Sequence, residues 1–114
     1  METHSLGRLR RTKEILRVLK EGKRLKGRFF ILYWRVGEGC RTRAAFVAGR
    51  EVGKAVARNR ARRLLREALR GLLPLLSRPI EVVLVASPEA ASASFHKVRE
   101  ELEEALKAAG LVGM

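Results

Sequence analysis

Residues 54–70, KAVARNRARRLLREALR, set the tightest limit on what this chain can fold into. At about 100° per residue, Ala57, Ala61, Leu64, Leu65, Ala68 and Leu69 share one arc of about 140°. Asn59, Arg62, Arg63, Arg66 and Arg70 share another arc of about 100°, with Arg60 further round and Arg58 near the apolar edge. Such a helix packs by its leucines and presents its arginines. Like charges four apart, from Arg58 through Arg62 and Arg66 to Arg70, repel by roughly a few tenths of a kcal/mol per pair on an isolated helix. Only Glu67 compensates locally. The face makes sense where phosphates neutralise it, and the planar guanidinium fits phosphate oxygens and stacks on bases. Helix-turn-helix recognition would need a second helix a short turn away. A strand pattern precedes this helix instead.

The leucines need a partner layer, and the rest of the chain offers one. Thr12 reads as the N-cap of a helix over 12–21, with Ile15, Leu16, Val18 and Leu19 on one face and Gly22 as C-cap. Residues 28–36 are β-branched and aromatic, so they read as a strand. One of its faces carries Phe30, Leu32, Trp34 and Val36, and the other Phe29, Ile31, Tyr33 and Arg35. Trp34 reads as core. A second strand over 43–49 should complete a hairpin with the first. Gly53 precedes the arginine helix over 55–70, and Pro74 breaks the leucine cluster after it. Residues 80–86, IEVVLVA, read as a strand well inside a sheet. Ser92 or Ser94 opens a last helix with Phe95, Val98, Leu102, Ala105, Leu106 and Ala109 inward, ended by Gly110. Glu100, Glu101, Glu103 and Glu104 read as its solvated surface. The order is α-β-β-α-β-α, an α+β sandwich of helices on a roughly four-stranded sheet.

At 114 residues this is one domain, with residues 1–11 expected to be a flexible basic lead-in. Composition then narrows the partner. Residues 1–70 hold 21 Lys+Arg against 6 Glu, whereas residues 71–114 hold 4 against 6. Charge for solubility alone need not gather in one half, so a polyanion is expected: nucleic acid first, an anionic membrane surface second. No apolar run approaches the roughly 20 residues of a membrane-spanning helix, and the first ten residues have no secretory core. Cys40 is the only cysteine, which fits a reducing cytoplasm. The chain has no Asp and no Gln, and its two histidines lie 92 positions apart. No local metal site and no catalytic constellation can be read.

The stretch Gly53-Lys54-Ala55-Val56-Ala57-Arg58-Asn59-Arg60-Ala61-Arg62-Arg63-Leu64-Leu65-Arg66-Glu67 resembles the signature of the bacterial ribonuclease P protein subunit. The glycine, the paired basics at 62–63 and the Arg-Glu pair at 66–67 carry the resemblance. It extends over nearly the whole chain, because the other elements follow the family's order and spacing. The family implies a left-handed βαβ crossover, against the usual hand. It also implies the partner of a catalytic RNA that removes the 5′ leader from precursor tRNA. The RNA then holds the magnesium-dependent active site, and the protein binds no cofactor, spans no membrane and has no obligate protein partner. Two surfaces carry over. The RNA-facing helix supplies Lys54, Arg58, Asn59, Arg60, Arg62, Arg63, Arg66 and Arg70. A cleft for the single-stranded leader supplies Ile15, Leu19, Phe29, Ile31, Tyr33 and Arg35. The chain departs from the family in having Ile15 and Leu19 where aromatics are frequent, and Glu51 where a second basic residue is. The alternative reading is a structural RNA-binding protein of the ribosomal or RNA-chaperone type.

Overall fold

The computed structural model describes residues 6–112. It contains five strands and three helices: β1 (Gly7–Arg8), α1 (Thr12–Glu21), β2 (Lys23–Lys26), β3 (Phe30–Val36), β4 (Arg43–Val47), α2 (Ala55–Leu72), β5 (Ile80–Ala86) and α3 (Phe95–Ala108). The strands form one sheet in the order β1-β4-β5-β3-β2. The α+β reading holds, with five strands in place of about four. Three of the five match the strands read from the sequence, and the other two, β1 and β2, are short edges that periodicity does not reveal. β2 is KRLK, whose composition disfavours a strand, and β1 has two residues. Residues 1–5 of the expected loose lead-in lie outside the described residues. Its remainder is tied down, since Gly7 and Arg8 pair with β4 and Leu9 is buried.

The expected hairpin of β3 and β4 does not form. β5 lies between them, antiparallel to β3 and parallel to β4. The reason is the sequence of β5, which is apolar on both faces. Ile80, Val82, Leu84 and Ala86 pack into the main core, and Val83 into a second cluster on the opposite face. Only a central position buries both faces. β4 then joins β5 through the crossover helix α2, as parallel neighbours require.

The main core lies between the sheet and the pair α2 and α3. There Leu65, Ala68, Leu69 and Leu72 of α2 and Val98, Leu102, Ala105 and Leu106 of α3 meet Phe30, Leu32 and Trp34 of β3. Phe95, expected inward, is exposed at the first turn of α3. α1 covers the other sheet face, where Val18 is fully buried against Leu9, Ala45 and Val83. Arg11, rather than Thr12, is the N-cap of α1. Glu14 closes that end, accepting the backbone N–H groups of Arg10 and Arg11. Ser94 caps α3 by accepting the Lys97 N–H at 3.2 Å.

Gly22 and Gly53 are both forced. A Cβ on Gly22 would stand 2.5 Å from the Trp34 carbonyl oxygen, so only glycine lets the end of α1 meet β3. Gly53 has φ +137°, and a Cβ there would meet Ala57 Cβ at 2.9 Å. It therefore sets the angle at which the chain enters α2.

Candidate RNA-binding surfaces

α2 separates its two faces as its sequence requires. Ala61, Leu64, Leu65, Ala68, Leu69 and Leu72 are buried, and the cations are left on the outside. Lys54 is the N-cap and no acid sits in the first turn, so the partial positive charge of the helix start is uncompensated. Lys54 and Arg63 are exposed and have no partner among the described residues. Arg62 donates to Asn59 Oδ1, which holds both side chains on one strip. Arg70 pairs with Glu67 at 3.1 Å. The Arg66 guanidinium lies 5.5 Å from the centre of the Phe46 ring, within cation–π reach. Val56, not singled out from sequence, is 81% exposed. It lines a shallow depression with Asn59, Arg60, Arg62, Arg63 and Arg66. An apolar group ringed by cations suits the sugar or base of a nucleotide held by its phosphates.

Two arginines of the signature turn inward in part. Arg60 donates from Nε to the Ala91 carbonyl at 2.6 Å and from Nη2 to the Ala93 carbonyl at 3.0 Å. It thus ties α2 to the turn that leads into α3. Arg58, near the apolar edge as the helical wheel predicts, has a buried Nε without a hydrogen-bond partner.

The second surface lies beside α1. Ile15 and Leu19 are half-buried and pack with Tyr33 and Val85 around Val18. Ile31, Tyr33 and Arg35 alternate along β3 on this face, all half-buried. Phe29 does not join them. Glu101 of α3 accepts the N–H of Arg28 at 2.8 Å and of Phe29 at 2.9 Å. That capture bends the chain before β3 begins and turns Phe29, 7% exposed, into the main core. Glu101 is therefore a structural clamp and not solvated helix surface.

Arg35 is committed elsewhere. It faces Glu81 across β3 and β5, and Glu81 faces Arg43 across β5 and β4, so the three side chains form one row across the sheet. Glu81 is 6% exposed and accepts from Arg35 at 2.8 Å and Arg43 at 2.6 Å. Arg43 also reaches Glu14 of α1 at 2.9 Å, and Arg35 lies 3.8 Å from Glu38. Burial by itself pushes the Glu81 carboxyl up, but hydrogen bonds and charge from Arg43 and Arg35 together outweigh it and hold its pKa below the ordinary value. The Arg43 hydrogen bond, with the two backbone N–H groups, lowers Glu14 in the same way. This row anchors α1 to the sheet. Sequence reasoning met Glu81 only as a charge inside an apolar run.

The two surfaces meet. A groove of about 380 Å³ runs from Ile15 along the outer edge of β4, past Phe46, to Arg66 and Arg70. β1 covers β4 only at Arg43 and Ala44, which leaves this edge open. Among the described residues no three His, Cys or Glu side chains converge as a metal site, and no helix is long and apolar enough to cross a membrane.

Comparison with known proteins agrees over nearly the whole chain. A family model described as "Ribonuclease P" matches residues 4–110. The ribonuclease P protein component of Caldanaerobacter subterraneus subsp. tengcongensis is 37% identical, over 90% of this chain and 88% of that relative. That of Acidothermus cellulolyticus is 39% identical, over 87% of this chain and 84% of the relative. The RNase P protein of Thermotoga maritima superposes with TM-score 0.78 at 30% identity, over 89% of this chain and 96% of that one. The Staphylococcus aureus RNase P protein has the same fold, with TM-score 0.81 at 22% identity, over 93% and 97% of the two chains. The chain belongs to the ribonuclease P protein component family and is a protein subunit of ribonuclease P.

Proposed function

We propose that this subunit binds the catalytic RNA through the outer face of α2 and grips the 5′ leader of precursor tRNA in the groove beside α1, without performing the cleavage itself. The observation that carries the reading is the division of labour between two surfaces of different chemistry. α2 offers Lys54, Asn59, Arg62, Arg63 and Arg66 on one strip, matched to a phosphate backbone. The surface beside α1 offers a half-buried Tyr33 packed with Ile15 and Leu19, matched to an unpaired base. The groove along the β4 edge links them, so a strand leaving the α1 groove is led toward the RNA-binding helix.

In this assignment magnesium held by the RNA supplies the chemistry of phosphodiester hydrolysis. The protein's part is to neutralise phosphates, orient the leader and raise the fraction of substrate seated for attack. The lone exposed Cys40 fits work in the reducing cytoplasm.

The test is reconstitution. The protein added to the catalytic RNA at low magnesium should restore accurate 5′ cleavage of precursor tRNA, and the protein alone should leave the substrate intact. Cleavage by RNA-free protein that survives micrococcal nuclease treatment would overturn the assignment. General RNA annealing without restored cleavage would favour a chaperone.

A further inference from the structure

The groove beside α1 needs cations for a leader's phosphates, and the cation first expected there does not supply one. Arg35 lies between Glu81 and Glu38, and Arg43 between Glu81 and Glu14. Arg17, at the far end of α1, pairs with Glu21 and Glu38. That end of the groove therefore holds three arginines against four glutamates, so it offers a phosphate no net attraction.

The unspent charge lies on β2. In the β2–β3 register Arg24 stands opposite Tyr33, and Lys26 opposite Ile31. Directly paired residues share a sheet face, so both cations lie on the face of Tyr33. The alternate set confirms the orientation. Lys23 sits 5.5 Å from the centre of the Trp34 ring, and Leu25 packs on the main core, both on the opposite face. Arg24 and Lys26 are exposed, and neither has a partner among the described residues. Two positions along a strand place them about 7 Å apart, a spacing suited to neighbouring phosphates of an extended strand. Tyr33 and Ile31 then provide the surface for its bases.

We propose that Arg24 and Lys26 of the edge strand β2 are the phosphate-binding cations of the α1 groove and hold the backbone of a single-stranded 5′ leader while Tyr33 meets its bases. This rests on the assignment of that groove to the leader. Charged residues on an edge strand also discourage pairing between sheets. That role would be served by cations facing either way and predicts no dependence on the substrate.

The experiment compares holoenzymes carrying wild-type protein, Arg24→Ala/Lys26→Ala and Tyr33→Ala, each with precursor tRNA bearing a long leader or a single-nucleotide leader. The double variant should bind the long-leader substrate roughly tenfold more weakly and the short one as before. Its log–log salt slope on the long leader should fall by about 1.4, two contacts at about 0.7 per single-strand phosphate. Arg24→Lys/Lys26→Arg should restore both. If Tyr33→Ala shows a leader-specific loss and the double variant does not, the phosphates are held elsewhere and the proposal fails while the groove assignment stands. If neither variant shows one, the groove assignment fails and the proposal with it. Equal losses on both substrates, or aggregation of the double variant with normal leader affinity, would equally overturn it.

Discussion

Arg43 donates to the buried carboxylate of Glu81 at 2.6 Å from the neighbouring strand, and its other terminal nitrogen reaches Glu14 on α1. One arginine thus joins the sheet to α1. The folded pKa values of Glu81 and Glu14 are both lowered from 4.5. A group with a depressed folded pKa contributes stability that is present above its unfolded value and lost as pH falls through its folded one. The thermal midpoint should therefore be flat near neutrality and decline below about pH 4.5. Glu81→Gln should cost about 2–3 kcal/mol at pH 7, since it leaves two partly buried guanidinium groups under-compensated. Its deficit against wild type should shrink as acid protonates the native carboxylate. Melting curves of the two proteins from pH 3 to pH 7 decide this; a deficit independent of pH would show that packing, not charge, is lost.

Arg60 and Arg63 are near neighbours on α2 and should behave differently. Arg60→Ala removes two hydrogen bonds to the Ala91 and Ala93 carbonyls. It should lower stability by about 1–2 kcal/mol, reduced from the value for buried charged pairs because the side chain is exposed. Arg63→Ala should leave the thermal midpoint alone and weaken binding to the catalytic RNA. The magnitude of its log–log salt slope should drop by somewhat less than about one unit. Calorimetry paired with a salt titration separates the two effects. A stable Arg60→Ala protein with a reduced salt slope would assign Arg60 to the RNA instead.

Glu101 offers a third test. Its carboxylate receives two backbone N–H groups from the approach to β3. Glu101→Ala should strand the Phe29 N–H in a partly buried position and cost about 1–3 kcal/mol. Binding of the catalytic RNA should survive below the melting transition. Loss of RNA affinity in a protein of unchanged midpoint would give Glu101 a functional role.

Legibility in the sequence followed the physics of each segment. α1, α2 and β5 were readable because periodicity and length act locally, and their observed bounds lie within two residues of those expected. The β3–β4 hairpin failed because adjacency in sequence is a weak guide once a later strand is apolar on both faces and claims the centre. β2 was invisible because its residues are cationic and its strand conformation comes entirely from pairing with β3. For the same reason the cations beside Tyr33 were missed. Phe29 was assigned to the wrong face because alternation assumes a straight strand, and a glutamate 72 residues away bends this one. Arg35 kept its predicted position, but its partners Glu81 and Glu38 arise from tertiary contact and from the turn after β3.

Tyr33 stands between these outcomes, since it keeps the strand face that alternation with Trp34 predicts. It packs half-buried with Ile15 and Leu19 of α1, on the face opposite Trp34. With aliphatic residues at both α1 positions, Tyr33 is the aromatic ring on this surface that the proposed leader contact would use. Stacking on a single-stranded base is worth about 1–3 kcal/mol by alanine substitution, so Tyr33→Ala should weaken long-leader precursor by about that amount. Tyr33→Phe keeps the ring and should retain most of the affinity. Mature tRNA and the catalytic RNA should bind both variants as they bind wild type. Removing a half-buried ring also loosens the cluster around Val18, so the comparison belongs at a temperature well below the lowest melting midpoint. Equal losses on long and single-nucleotide leaders, unrelieved by Tyr33→Phe, would mean that Tyr33 serves only to seat α1 on the sheet.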